Sequence, residues 1–350
     1  MTIPPTLHGL LEHYSPSGQE AAAVDFLVGQ MQDLGFSQAY RDEIGNAIGI
    51  MGDGAQQIVL LGHIDTVPGE IPVRQEGDHI YGRGSVDAKG PLAAFVDAVA
   101  ETRSLAGVQL VIIGAVGEES DSVGARQVIE QFHPVMTIIG EPSSWDRITL
   151  GYKGSVGVKI VSQQAAAHSA GEGQSASEAV IDDWFEIKKW AEQHNLGQAR
   201  VFDQVSPGIS GMRSANDGFE ESASLEISFR LPISMDPGEL YQHLGAIIKF
   251  SRIEELNEPI PAYLGDKNNP LVRAFIKTIR AHGGQPRFVR KTGTSDMNLV
   301  APSWKSPILA YGPGDSTLDH TPHEHISLAE YHRSVRILTS VLQMLVDARN

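Results

Sequence analysis

Residues 60–69 read LLGHIDTVPG, an apolar run that ends in a histidine, an aspartate two residues later, and then a turn. On a strand, residues i and i+2 point to the same side. His63 and Asp65 therefore look into one cleft at the carboxyl end of a buried strand that includes Ile58–Leu61. In isolation the same triplet is as readily a turn with a capping aspartate and a hydrogen-bonded histidine. Its surroundings decide. Apolar runs recur at Leu110–Ala115 and Val135–Ile139, and helical patterns lie around and between them. Residues 19–35 carry Ala22, Phe26, Leu27, Met31 and Leu34 at helical spacing, with Gly35 as a stop, and GPLAAFVDAVAETRSL opens with Pro91 in a first helical turn. Buried strands alternating with helices define an α/β sheet flanked by helices, and in such sheets the ligand sits beyond the carboxyl ends of the strands.

The same position recurs along the chain. Asp87 in YGRGSVDAKG, Glu118 and Glu119 in GAVGEESDSVG, Glu141 in IIGEPSSWD and His320 in YGPGDSTLDHTPHEH belong to the same set of polar groups, and the three glutamates follow apolar runs directly. Each has an ordinary alternative: a helix cap for Asp87, a solvated turn for Glu118–Glu119, surface positions for Glu141 and His320. Gathered at one sheet edge they form a nitrogen and oxygen donor set suited to Zn²⁺, Co²⁺ or Mn²⁺. Cysteine is absent, which removes disulfides and thiolate ligands and fits a reducing cytoplasm.

From about residue 155 the texture changes. SVGVKIVSQ and ASLEISFRLPI alternate like half-exposed antiparallel strands, and ASEAVIDDWFEIKKWAEQH and DPGELYQHLGAIIKF are amphipathic helices. NEPIPAYLGDKNNP reads as a return linker, after which the helix–strand pattern resumes and ends in a long helix, residues 328–349. The expected architecture is α/β, a mixed sheet flanked by helices formed by residues 1–154 and 261–350, interrupted by an inserted α+β lid at 155–260.

Bulk composition excludes other classes. A chain of 350 residues with 41% hydrophobic and 20% charged residues is an ordinary globular protein with room for more than one domain. No apolar run approaches the ~20 residues of a membrane span, and no basic start with an apolar block suggests a secretory leader. The net charge of −16 argues against nucleic acid as a partner. RFVRK, with Arg287, Arg290 and Lys291, is a local exception that reads either as a solvated strand or as a basic patch. GRGSVD lacks the third glycine of a dinucleotide fingerprint, and neither a G-x-x-x-x-G-K-[ST] loop nor a G-x-S-x-G elbow occurs.

GHIDTVP, GRGSVDAKG, EES, GEP and the late DH, in this order, resemble the M20 family of co-catalytic dinuclear zinc amidohydrolases and peptidases, and the likeness covers essentially the whole chain. It implies that His63 and Glu141 hold one metal, Glu119 and His320 the other, and Asp87 bridges them. Glu324, four residues after His320, selects His320 over His323 and His325; Asp319 stands where the family commonly has alanine. The resemblance makes Asp65 the carboxylate that orients His63, Glu118 the general base, and His168 in AAAHSAGEG a donor to the scissile carbonyl, often supplied across a homodimer. Arg230 matches an arginine that binds a substrate carboxylate. KTGTSDMN places Thr294, Asp296 and Asn298 in the substrate pocket, with Asp296 as receiver of a side-chain amine. Within the family the chain most resembles the branch that releases lysine or ornithine from a small acidic amino-group carrier protein, by cleaving the amide to the carrier's C-terminal glutamate γ-carboxyl. That branch implies two divalent ions (zinc, or cobalt), a cytoplasmic homodimer, and a place in lysine or arginine biosynthesis, with no nucleic acid or membrane partner. The alternatives are an N-acetyl-lysine or N-acetyl-ornithine deacetylase, a dipeptidase or carboxypeptidase, or a metal-free binding module.

Overall fold

The computed structural model describes residues 2–103, 105, 107–168 and 173–348. Ser169 and Ala170 of the A-H-S-A segment, and the end of the last helix at Arg349, lie outside them. The chain divides into two compact units: Met1–Gly151 with Gly265–Val289 and Ser295–Asn350, and Tyr152–Leu264 with Arg290–Thr294.

The first unit begins with helices α1 (Pro5–Glu12) and α2 (Ala21–Asp33) and strands β1 (Gln38–Arg41), β2 (Ala47–Met51) and β3 (Gln56–His63). A small hairpin, β4 (Arg74–Glu76) and β5 (His79–Tyr81), precedes α3 (Lys89–Glu101), β6 (Val108–Ala115), α4 (Val123–Gln131), β7 (Met136–Gly140) and β8 (Arg147–Tyr152). Ile58–Leu61 of β3 are wholly buried, as are Leu110–Ile113 of β6. Burial on both faces is why these strands read as unbroken apolar runs. β3 lies between β6 and β7, parallel to both, while β2 runs antiparallel to β6 and to β1, so the sheet is mixed.

The second unit holds β9 (Gly154–Ala165), α5 (Ala176–His194), β10 (Ser206–Asn216), β11 (Glu220–Leu231), α6 (Pro237–Ile247), β12 (Arg252–Glu255) and β13 (Tyr263–Leu264). Its antiparallel sheet, ordered β10-β11-β9-β12, buries Val156, Val158, Ile160, Leu225, Ile227 and Phe229 in one core with Val180 and Ile187 of α5 and Leu240 and Leu244 of α6. The alternation in sequence is this one-sided burial. Both helices start in capping boxes, Ser175 with Glu178 and Asp236 with Glu239. The exposed edge strand β10 has no counterpart in the sequence reading, because its polar, glycine-containing residues face solvent and carry no apolar period.

The chain then completes the first unit with α7 (Pro270–Ala281), the start of β14 (Arg287–Lys291), whose last two residues belong to the second unit, α8 (Asp296–Trp304), β15 (Ile308–Ala310), β16 (His325–Ser327) and α9 (Leu328–Asp347). β15 enters the sheet between β7 and β8, parallel to β7. β16 adds to the hairpin beside β5. No helix among the described residues is long and apolar enough to cross a membrane.

Candidate metal centre

Seven of the residues singled out in the sequence meet in the first unit: His63, Asp65, Asp87, Glu118, Glu119, Glu141 and His320. His63 ends β3 and is 1% exposed. Its Nδ1 lies 2.9 Å from the Asp65 carbonyl oxygen. A carbonyl only accepts, so Nδ1 carries a proton, and Nε2 is the ring atom left toward the cleft, able to ligate once it gives up its own proton. The orienting group nearest the ring is therefore the Asp65 main chain, with the Asp65 carboxylate at 3.5 Å. That carboxylate has a further task. Its Oδ1 accepts from Glu118 N (3.1 Å), and its Oδ2 accepts from Glu119 N (3.1 Å) and Ser17 Oγ (2.7 Å). One buried aspartate thus fixes the loop that aims two consecutive glutamates.

Asp87 stands between the histidines. Its Oδ1 is 3.1 Å from His63 Nε2 and its Oδ2 is 3.1 Å from His320 Nε2. His320, with a left-handed backbone (φ 60°), is also 2.9 Å from Glu119 Oε1. Donor atoms of His63, Asp87 and Glu141 lie within 4.8 Å of one another, as do those of Asp87, Glu119 and His320. The two groups share Asp87 and no other residue, one oxygen toward each histidine.

Glu324, buried to 1%, holds the Asp87 loop. Its Oε2 accepts from Arg83 Nη1 (2.9 Å) and Gly84 N (3.1 Å), and its Oε1 from Val86 N (2.8 Å) and Asp87 N (3.1 Å). Gly84 has φ +85°, and a Cβ there would meet Lys89 and Thr66 at 2.9 Å, so the loop needs glycine at this point. The Asp87–Ala88 peptide that follows is cis. The sequence used Glu324 only to select His320; its four donors, some 240 residues away in the chain, left no local signal.

The electrostatics test whether cations fit. Burial pushes Glu118 well up, and the charges of Glu141, Asp296 and Glu119 add to the rise against His63. His63 is held well above its ordinary value: burial opposes the charge, but hydrogen bonds to Asp65 and Asp87 outweigh it. His320 is pushed up to about 10, first by its bonds to Asp87 and Glu119. Asp87 goes the other way: burial alone would raise it, yet His320 and His63 draw it well below the carboxylate range. A wholly buried Lys89 is pulled down to about 7 by burial, against the attraction of Glu324 and Asp65. Carboxylates thus outnumber positive groups in a half-closed cleft, and the histidines capture protons to compensate. Such a surplus costs free energy unless cations enter. The all-nitrogen-and-oxygen donor set fits divalent ions: besides the two triplets that share Asp87, donor atoms of His63, Glu118 and Glu119 also lie within 4.8 Å of one another.

The other predicted residues lie as follows. Arg230 Nη1 donates to Thr294 Oγ1 (2.7 Å), which donates to the Lys153 carbonyl (3.0 Å), all within the second unit. His168, just past β9, is exposed in that unit. Asn298 accepts from Ser295 N (3.1 Å) and closes the capping box of α8. Asp296 is the first residue of α8 and 2% exposed. Burial pushes it up to about 7, with Asp65 adding to the rise and His63, Ser122 and Arg126 opposing it.

The fold and its donor cluster suit a metal-dependent hydrolase, and comparison with known proteins agrees. The family model for peptidase family M20/M25/M40 matches residues 59–344, and the chain belongs to that family. It is 43% identical over 346 residues to a "[LysW]-lysine hydrolase" of Deinococcus radiodurans, covering 95% of this chain and 94% of that protein. It is 41% identical to a "Putative [LysW]-lysine/[LysW]-ornithine hydrolase" of Thermococcus kodakarensis, covering 98% of this chain and 92% of that one. Among solved structures, an M20 family metallo-carboxypeptidase from Sulfolobus solfataricus superimposes with a TM-score of 0.79 at 18% identity, over 99% of this chain and all of that one. This last likeness concerns the fold.

Proposed function

We propose that the protein hydrolyses the amide between the C-terminal glutamate γ-carboxyl of an amino-group carrier protein and the α-amino group of lysine or ornithine, releasing the free amino acid. Near-full-length likeness to relatives bearing that name supports the substrate. The observation that carries the reaction class is Asp87, which turns one oxygen toward each of two histidine–glutamate pairs. His63 with Glu141, and Glu119 with His320, would hold two divalent ions, zinc or cobalt, sharing Asp87. When bound, the pair polarises the scissile carbonyl and makes water more acidic.

The chain's own groups do the rest. Glu118 takes a proton from the attacking water as its oxygen bonds to the carbonyl carbon. As the C–N bond breaks, Glu118 returns that proton to the departing amine. Burial, with the neighbouring carboxylates adding to it, raises its proton affinity in the metal-free protein. Asp65 holds the backbone of Glu118 and Glu119 through their amides. His168 donates to the carbonyl oxygen from a partner protomer in a homodimer, a contact of the kind worth ~3–4 kcal/mol of barrier. Arg230 and Thr294 are assigned to the carboxylate of the released amino acid, and Asp296 and Asn298 to substrate binding, with Asp296 receiving the side-chain amine. The inserted unit serves as lid and dimerisation domain, in a cytoplasmic enzyme of lysine or arginine biosynthesis. The deciding assay compares carrier-linked lysine, carrier-linked ornithine and their N-acetyl analogues. Preference for the free N-acetyl compounds would assign a deacetylase instead.

A further inference from the structure

Lys153, at the start of the second unit, is wholly buried. Its ammonium meets three acceptors with its three N–H donors: the Val201 carbonyl (3.1 Å), the Gln204 carbonyl and Ser206 Oγ (2.9 Å). It thereby pins a single 3₁₀ turn, Val201–Asp203, and the first residue of β10. Two further contacts hold this segment. Arg290 lies over the Phe202 ring at 5.5 Å, and Asn195 bonds both the amide and the carbonyl of Val205. Ser206 is the residue of β10 directly opposite Arg230 of β11.

The main chain of Lys153 reaches the same arginine by a second route. Its N–H donates to the Lys291 carbonyl (3.3 Å), and its own carbonyl accepts from Thr294 Oγ1 (3.0 Å). Thr294 Oγ1 in turn accepts from Arg230 Nη1 (2.7 Å). A carbonyl only accepts, so the one proton of the Thr294 hydroxyl is spent on Lys153. Thr294 then has a lone pair for the guanidinium and no proton for an anion. A substrate carboxylate would meet Arg230, and Thr294 would serve it only through Arg230. Lys153 also acts by charge: burial, and after it the positive charge of Arg230, pushes it down to about 8, with Asp203 opposing. Burying one cation beside another costs free energy that a purely structural tie would not incur.

We infer that Lys153 and Thr294 are positioning residues that set the Arg230 guanidinium, and with it a preference for substrates bearing a free α-carboxylate. This rests on the assignment of Arg230 to that carboxylate in the proposed function, and it adds what aims the group. A guanidinium reads a carboxylate through a rigid fork, but the stem that carries the fork is long and flexible. Here Thr294 takes Nη1, the strand opposite is tied down through Ser206, and the buried charge of Lys153 repels the guanidinium from the interior of the unit. One lysine thus joins the turn at 201–206, the returning segment at 291–294 and the strand that carries Arg230.

The test takes the intact metal-loaded protein and two substrates, carrier-linked lysine and carrier-linked lysinamide, which lacks the carboxylate charge. It reads the ratio of kcat/KM between them. Thr294→Val, similar in shape but without the hydroxyl, lowers that ratio roughly tenfold or more, through KM for the lysine substrate. Thr294→Ser, which keeps the hydroxyl, restores most of it. Lys153→Met, which keeps the side chain's length without its charge, shifts the ratio in the same direction. Arg230→Ala removes the preference, and adding Thr294→Val to it lowers the ratio no further, because both act through one group. A wild-type ratio in Thr294→Val would overturn the inference, whatever becomes of Lys153→Met. So would equal losses on both substrates, no rescue by serine, or a further fall in the double variant. If the wild type leaves carrier-linked lysine intact, the ratio is read on N-acetyl-lysine and N-acetyl-lysinamide. The same pattern there would overturn the proposed substrate and leave the positioning of Arg230 standing. A wild-type ratio in Arg230→Ala would overturn both the carboxylate assignment and the inference built on it.

Discussion

Replacing Glu324 by glutamine tests how far the metal centre depends on a residue that is none of its ligands. Glu324 and Arg83 form an ion pair with 1% and 7% of their side chains exposed. Removing one member of a buried pair costs about 3–5 kcal/mol, because the other charge stays behind. Arg83 retains the Gly69 and Thr321 carbonyls at 2.8 and 3.1 Å but no anion. Glutamine offers one oxygen where four donors converge, so either the Val86–Asp87 amides or the Arg83–Gly84 pair faces an NH₂ group. At a floor of ~3 kcal/mol, with ~2–4 °C per kcal/mol for a unit of this size, the thermal midpoint of the first unit should fall by roughly 6–12 °C. The amide of Asp87 is among the lost contacts, so its two oxygens should lose alignment. Groups that orient ligands are worth 10–100-fold in metal affinity. Calorimetric melting and Co²⁺ absorption titration read the two effects separately. A midpoint within about 2 °C of wild type, together with unchanged Co²⁺ affinity, would refute the assignment of Glu324 as the anchor of Asp87.

Chelation should abolish activity and Zn²⁺ or Co²⁺ should restore it; full activity in a metal-free preparation sinks the mechanism. Metal uptake should release protons near neutral pH, because His320 without metal keeps its proton up to about pH 10. In the metal-free protein, the stability from His320's bonds to Asp87 and Glu119 is complete below the unfolded value near 6.5 and is lost as pH rises through about 10. Absence of proton release in a weakly buffered titration would remove His320 from the ligand set. Glu118→Gln should retain both metals and lose several orders of magnitude in kcat with KM little changed. Loss of metal from that variant would exchange the roles of Glu118 and Glu119. Mixed protomers of inactive His168→Ala and inactive Glu118→Gln should regain activity, since one hybrid site is then intact. No recovery after verified subunit exchange would place His168 in cis or outside the reaction.

The strands that carry the centre were legible because both their faces are buried. Ile58–Leu61, Leu110–Ala115 and Val135–Ile139 can hardly be anything else, and His63 and Glu141 fall at or just past their ends. Asp87 and His320 entered the candidate set with no apolar strand running directly into them, and their roles came only from the resemblance. Their loops are held by contacts distant in the chain, as in the Glu324 bonds to residues 84–87, and no local period marks such contacts. The exchange between the Asp65 carbonyl and carboxylate was invisible for a simpler reason: a sequence names side chains, and the nearest group to His63 is main chain. In RFVRK, the sequence drew attention to a strand in which Arg290 stacks over Phe202 at 5.5 Å.

The position of β15 bears on how the chain is made. Strand β7 is complete at residue 140, yet its parallel neighbour β15 begins at Ile308. A nascent chain emerging from the ribosome would hold one long side of β7 open while all of the second unit is synthesised. Parallel pairing over such a separation is slow, and an unfilled hydrophobic edge invites association with other chains. The last of the proposed metal ligands, His320, arrives only ten residues after β15 ends. Closing the sheet and completing the metal centre are therefore nearly one event in time. A chain interrupted before that point would have neither a sealed core nor a second ion site, so a half-made enzyme should be inactive and open to proteolysis.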